Sequence, residues 1–153
     1  MNINDKIEVV YNNKLHICEI TSLEPFNIKV IEKLDEDKKT KIELTVAVAL
    51  VKEQKMDLIL QKLTELGVYR IIPVSMERSI VKLDKERFNK KKVRWENICK
   101  EASEQSKRTN IPIIEDIKSI KDLTKEDADL KLVASTKEKE KLLNYYLQSI
   151  EDC

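Results

Sequence analysis

Between residues 6 and 32 apolar and polar positions alternate, with Ile7 and Val9, and again Ile28 and Val30, two apart. That period belongs to strands with one buried face. Three strands are predicted, Lys6–Val10, Leu15–Thr21 and Phe26–Glu32. The first two flank a Tyr-Asn-Asn-Lys turn, where asparagine tolerates positive φ, and Glu24-Pro25 breaks the chain before the third. Three strands are too few to close a barrel. The following run, KLDEDKKTK at residues 33–41, has no apolar anchor and reads as a solvated loop and domain boundary.

The pattern then changes. Ile42–Val51 is almost continuously apolar at its centre, which predicts a strand covered on both faces, as in parallel sheets. Gln54–Leu66 places Met56, Ile59, Leu60, Leu63 and Leu66 at helical spacing, and Gly67 follows where a left-handed residue ends a helix. Tyr69–Val74 is the next strand, completing a βαβ unit. Asp84 can cap a long helix whose core face is Phe88, Trp95, Ile98, Cys99 and Ala102. Leu130–Ser135 reads as another buried strand, and Thr136 as the cap of a last helix carrying Leu142, Leu143, Tyr146 and Leu147. The fold class is therefore α/β: a parallel sheet with flanking helices, preceded by a small β-rich unit.

Composition narrows the chemistry. With 41% apolar content in 153 residues the chain can bury a core. Its 29 Lys and Arg against 28 Asp and Glu leave a net charge of +1, so nucleic-acid affinity must come from local clusters. No apolar leader and no run of about 18 apolar residues is present, so neither secretion nor membrane spanning is expected. Cys18, Cys99 and Cys153 are odd in number and lack CxxC spacing, which fits a reducing cytoplasm and argues against a disulfide framework or a zinc site. His16 and Cys18 share a strand face but have no further ligands beside them. One glycine cannot build a phosphate cradle, and no P-loop, dinucleotide fingerprint, nucleophile elbow or HExxH occurs.

Four polar groupings remain. Glu101, Glu104, Gln105 and Arg108 stand at i, i+3, i+4 and i+7, a stripe beside the apolar face of the long helix; Gln61 and Glu65 form a similar pair on the shorter one. An ordinary solvated flank is the alternative reading of both. Glu77-Arg78 directly follows a strand, where α/β sheets place ligand-binding groups. Lys90, Lys91, Lys92 and Arg94 make a basic patch near Trp95, either phosphate-contacting or simply solubilising.

The ordered segments KMDLILQKLTELGV, IIPV, ERSIVKLD, RW and EASEQSKR with a following IP resemble the RsmE family of SPOUT-class methyltransferases. The resemblance is strong over residues 42–115. It implies methylation of a uracil N3 in small-subunit ribosomal RNA with S-adenosylmethionine as donor, in a cytoplasmic homodimer. Residues 1–40 would be a partial PUA-like β-barrel RNA-binding domain and linker, and residues 41–153 the N-terminal part of the SPOUT methyltransferase domain. By the same resemblance Glu77, Arg78 and Glu104 are candidate catalytic residues, and Arg78, Lys82, Gln105, Lys107 and Arg108 candidate RNA contacts. Two positions depart from the family pattern: Lys107 stands for a usual glycine and Asn110 for a common arginine. The family's donor site lies in a trefoil knot containing a GPEGG-type segment, which this sequence lacks. Donor binding by this chain alone is therefore not expected, and a non-catalytic RNA-binding module or an inert fragment are the competing readings.

Overall fold

In a computed structural model, residues 1–34, 42–77, 81, 83–139 and 142–146 are described. The first unit is an antiparallel sheet of β1 (Lys6–Tyr11), β2 (Lys14–Leu23) and β3 (Phe26–Leu34), in that order. Asn12 and Asn13 take φ of 51° and 58° in the tight turn, as their side chains permit, and the Glu24–Pro25 bond is cis. Register puts Ile7, Val9, His16, Cys18, Ile20, Ile28 and Val30 on one face. Only its centre is covered: Cys18 and Ile20 are buried, whereas Ile28 and Val30 are exposed, contrary to the single buried face that alternation predicts. Both lie on an outer strand, beside which no further strand packs among the described residues.

The second sheet is parallel, β4 (Thr45–Ala49), β5 (Arg70–Ser75) and β6 (Ile113–Ile114), with β7 (Lys118–Ser119) also on β5. Helix α1 (Glu53–Glu65) joins β4 to β5, α2 (Lys85–Gln105) follows β5, and the short α3 spans Ile120–Leu123. Met56 and Leu60 of α1 meet Phe88, Trp95 and Cys99 of α2 over Ile71, Val46 and Val48, so both helices cover one face. The opposite face holds Arg70, bonded to Thr45 and paired with Glu115 and Glu126 at 3.7 and 3.2 Å.

Pro73 sits in the middle strand, where a missing N–H normally breaks a ladder. The carbonyls of Tyr69 and Ile71 accept from Ile113 and Glu115, so odd positions of β5 face β6. Pairing on that side involves residues 70–71 and then 74–75, leaving 73 in the gap between β6 and β7. The absent donor falls where no acceptor waits.

Several expectations need correction. Strand β4 is shorter than Ile42–Val51, and Ala47 is exposed, because the second face is open there. Leu66 is 71% exposed: at 100° per residue it lies about 100° from the centre of a stripe running through Met56, Leu60 and Leu63 to Thr64. Thr64 takes that buried place, its hydroxyl donating to the Leu60 carbonyl at 2.7 Å. Leu130–Ser135 is not a strand, and Val133 is 92% exposed. Apolar composition gives an extended segment no ladder unless a neighbour presents its edge, and none does among the described residues. Thr136 lies in a turn and caps no helix; a helical turn occurs at 143–146, with Leu142 and Leu143 exposed, and Leu147 lies outside the described residues. Most of the charged run at 33–41 also lies outside them, although Lys33 and Leu34 extend β3.

Candidate functional site

Helices α1 and α2 run parallel, which two sets of contacts fix. Near their N-termini Glu53 pairs with Lys91 at 3.1 Å and with Arg94, whose guanidinium also reaches Asp57 at 2.6 Å. The hydrogen bond from Lys91, reinforced by the charges of Lys91 and Arg94, holds the Glu53 carboxyl below its ordinary range. At the other end the Arg108 guanidinium donates to the Glu65 carbonyl through Nε at 3.2 Å and NH2 at 2.9 Å.

Both helices end in the same motif. After α1, Gly67 donates to Thr64 and Val68 to Leu63; after α2, Lys107 donates to Glu104 and Arg108 to Ser103. These are the paired bonds of a Schellman ending, whose next residue must be left-handed. Gly67 has φ 83° and Lys107 φ 53°. The Lys107 ammonium extends to Glu8 of β1, 3.1 Å away.

Gln61, Glu101 and Gln105 line one groove between α1 and α2, above Ile98 and Ala102. Two of the polar groupings read from the sequence thus meet. Asp57 contributes a buried oxygen, Oδ1, with no hydrogen-bond partner. Arg108 does not continue the stripe, because α2 ends at Gln105 and the left-handed turn redirects the chain toward α1. Glu104 is exposed on another side of α2. Glu77 is exposed just past β5, whereas Arg78 and Lys82 lie outside the described residues.

Topology separates Glu77 from Glu104. Chain connection puts Glu77 at the carboxyl edge of the sheet, but Arg108 ties the end of α2 to the end of α1, which leads into the amino end of β5. The intervening 21-residue helix is about 30 Å long. Glu77 and Glu104 therefore stand apart among the described residues, and Arg78 lies outside them.

A second cleft opens at the carboxyl edge itself. Leu50, Met56, Trp95 and Leu83 floor it, and Lys52 and Lys91 stand at its rim. Sequence reasoning passed over Lys52, although a lysine directly before a helix start is an unusual N-cap and could have drawn notice. On β2, His16 is buried with Nδ1 unpartnered. Burial raises the Cys99 thiol, leaving it a core residue rather than a nucleophile.

The parallel βαβ unit with two helices on one face lies within residues 38–152, which match the family described as an RNA methyltransferase domain. The ribosomal RNA small subunit methyltransferase E of Bacillus subtilis is 40% identical over 108 residues, covering 69% of this chain and 42% of that protein. A second such enzyme, from Borreliella burgdorferi, is 30% identical over 112 residues, covering 72% of this chain and 46% of that protein. The crystal structure of the enzyme from Neisseria gonorrhoeae bound to S-adenosyl methionine superposes with a TM-score of 0.76 at 30% identity, over 84% of this chain and 55% of that one. This chain belongs to the RsmE family of RNA methyltransferases. It spans about half the length of the relatives it matches.

Proposed function

We propose that the protein containing this sequence transfers a methyl group from S-adenosylmethionine to N3 of a uracil in small-subunit ribosomal RNA. The observation that carries this reading is the match of residues 38–152 to the RNA methyltransferase domain, supported by 40% identity to a small-subunit enzyme. In the reaction the N3–H bond would break and an N3–methyl bond form as the methyl–sulfur bond of the donor breaks and S-adenosylhomocysteine leaves, so a base must take the N3 proton. Glu77, exposed beyond β5, is the candidate base. Glu104, a helix length away, is assigned to RNA contact rather than to the same step, with Arg78, Lys82, Gln105 and Lys107 as its companions. Arg108, committed to the Glu65 carbonyl, is assigned to holding the helix pair.

Residues 1–40 are read as part of a PUA-like RNA-binding domain and 41–153 as the N-terminal part of a SPOUT domain, in a cytoplasmic homodimer. Among the described residues no helix is long and apolar enough to cross a membrane. The donor supplies the electrophilic methyl group. Fit to it fails within the described residues: Gly67, the chain's one glycine, faces the Arg108 guanidinium, 2.5 Å from where a Cβ would stand, and offers no backbone cradle. That misfit favours, for the 153-residue chain by itself, the second reading of a non-catalytic RNA-binding module.

The test is to incubate unmethylated small ribosomal subunits with donor and the protein containing this sequence, then digest and analyse the nucleosides by mass spectrometry. N3-methyluridine should appear, and Glu77→Gln should slow it by about tenfold or more. A methyl group on another base, or a Glu77→Gln variant of full rate, overturns the assignment.

A further inference from the structure

We propose that the cleft at the carboxyl edge of β4 holds a single nucleotide of the RNA, its base on the apolar floor and its phosphate between Lys52 and Lys91. This rests on the RNA-directed reading above and names a part of the surface that reading did not use. The apolar surface that a base would meet is that of the half-buried Val51, Val81 and Leu83, lying over Leu50, Met56 and Trp95, each nearly fully buried. The space is about 270 Å³. A helix or a strand of a partner protein does not fit a concavity of that size, whereas one flat heterocycle does. Single-stranded RNA is held by that combination of a base-sized apolar platform and ammonium groups along the backbone.

The charges at the rim point the same way. Lys52 occupies the N-cap of α1, makes no side-chain capping bond, and has no ion-pair partner among the described residues. A cation at the positive end of a helix opposes local stability, and residues that break a local rule without compensation concentrate at functional sites. Lys91 stands across the cleft, paired to Glu53, and Arg94 bridges Glu53 and Asp57, so these two cations and two carboxylates balance. Glu53 is thus no obstacle to a phosphate, and the rim keeps one uncompensated positive charge. The position agrees with the general rule that open α/β sheets bind ligands beyond the carboxyl ends of their strands.

Trp95 is the chain's one tryptophan, so its emission reports the cleft. The experiment titrates the 153-residue chain with a decamer of uridine carrying an end label, reading label anisotropy and Trp95 emission together. Both should change along one saturable curve. Lys52→Ala and Lys91→Ala should each weaken binding about fivefold and lower the salt slope by about 0.7, the value for one single-strand phosphate contact. Lys90→Ala, on the solvated face beside Glu86, should change affinity less than twofold. The Lys52 carbonyl accepts the first bonds of α1 whatever the side chain, and that side chain makes no capping bond, so a melting curve matching the unsubstituted chain keeps the Lys52→Ala result interpretable. If the decamer binds but Trp95 emission stays silent and Lys52→Ala behaves as Lys90→Ala, RNA is bound elsewhere and only the cleft assignment falls. If neither the decamer nor a fragment of small-subunit RNA binds, the RNA-directed reading falls with it.

Discussion

Gly67 and Lys107 stand at equivalent places, two residues past a helix end, and both are left-handed. Only one of them is suited to it. A side chain in that region costs roughly 1–2 kcal/mol, and the exposed Lys107–Glu8 pair returns little of it. Lys107→Gly should therefore stabilise the chain by about 0.5–1 kcal/mol in urea unfolding, and a lower midpoint would show that the Glu8 contact outweighs the strain. Gly67→Ala should destabilise by about 2–4 kcal/mol, since it combines backbone strain with displacement of Arg108 from the Glu65 carbonyl. In an Arg108→Ala background the same substitution should cost only the strain, about 1–2 kcal/mol, and a cycle showing full additivity would mean that the two residues do not interact.

Elements were legible where a single periodicity governs them. The stripe Phe88–Trp95–Cys99–Ala102 and the Asp84 cap, which accepts from the Arg87 N–H at 2.8 Å, stood plainly in the sequence of α2. Trp95, edge-on to Phe88, should cost about 3–5 kcal/mol when cut to alanine, read from its melting curve, and a loss below 1 kcal/mol would place it outside the core. What the sequence hid are features set by a second element. Leu130–Ser135 has a strand's composition but no neighbour to pair with among the described residues, and Arg108 has a helical spacing but a helix that has already ended. The meeting of Gln61 with Gln105 was half visible, since each helix displayed its own stripe but nothing local stated that α1 and α2 run parallel. Ion pairs also set an acid limit. Glu53, held by Lys91 and Arg94, and Glu126, held by Lys118 and Arg70, have folded-state pKa values below their ordinary 4.5. Each contributes stability above that value that is lost as pH falls through the lowered one. The melting temperature should drop as pH falls below about 4.5, and Glu53→Gln should flatten that slope. An unchanged slope would assign the acid sensitivity to other carboxylates.

For the whole molecule, the described residues offer the methyl donor no glycine-built cradle, so calorimetry on the 153-residue chain with S-adenosylmethionine should register no binding, and micromolar affinity would overturn the fit argument. The two parallel helices have a further consequence. Each helix carries about half a positive charge at its start and half a negative charge at its end. Because α1 and α2 point the same way, their starts share the carboxyl edge of the sheet and their ends share the other, with the Arg108 guanidinium as countercharge between them. The domain is thus an electric dipole assembled from backbone, independent of a side-chain inventory that sums to only +1. A polyanion drifting toward it feels a torque before it feels a contact, and is turned to meet the lysine-rimmed edge first.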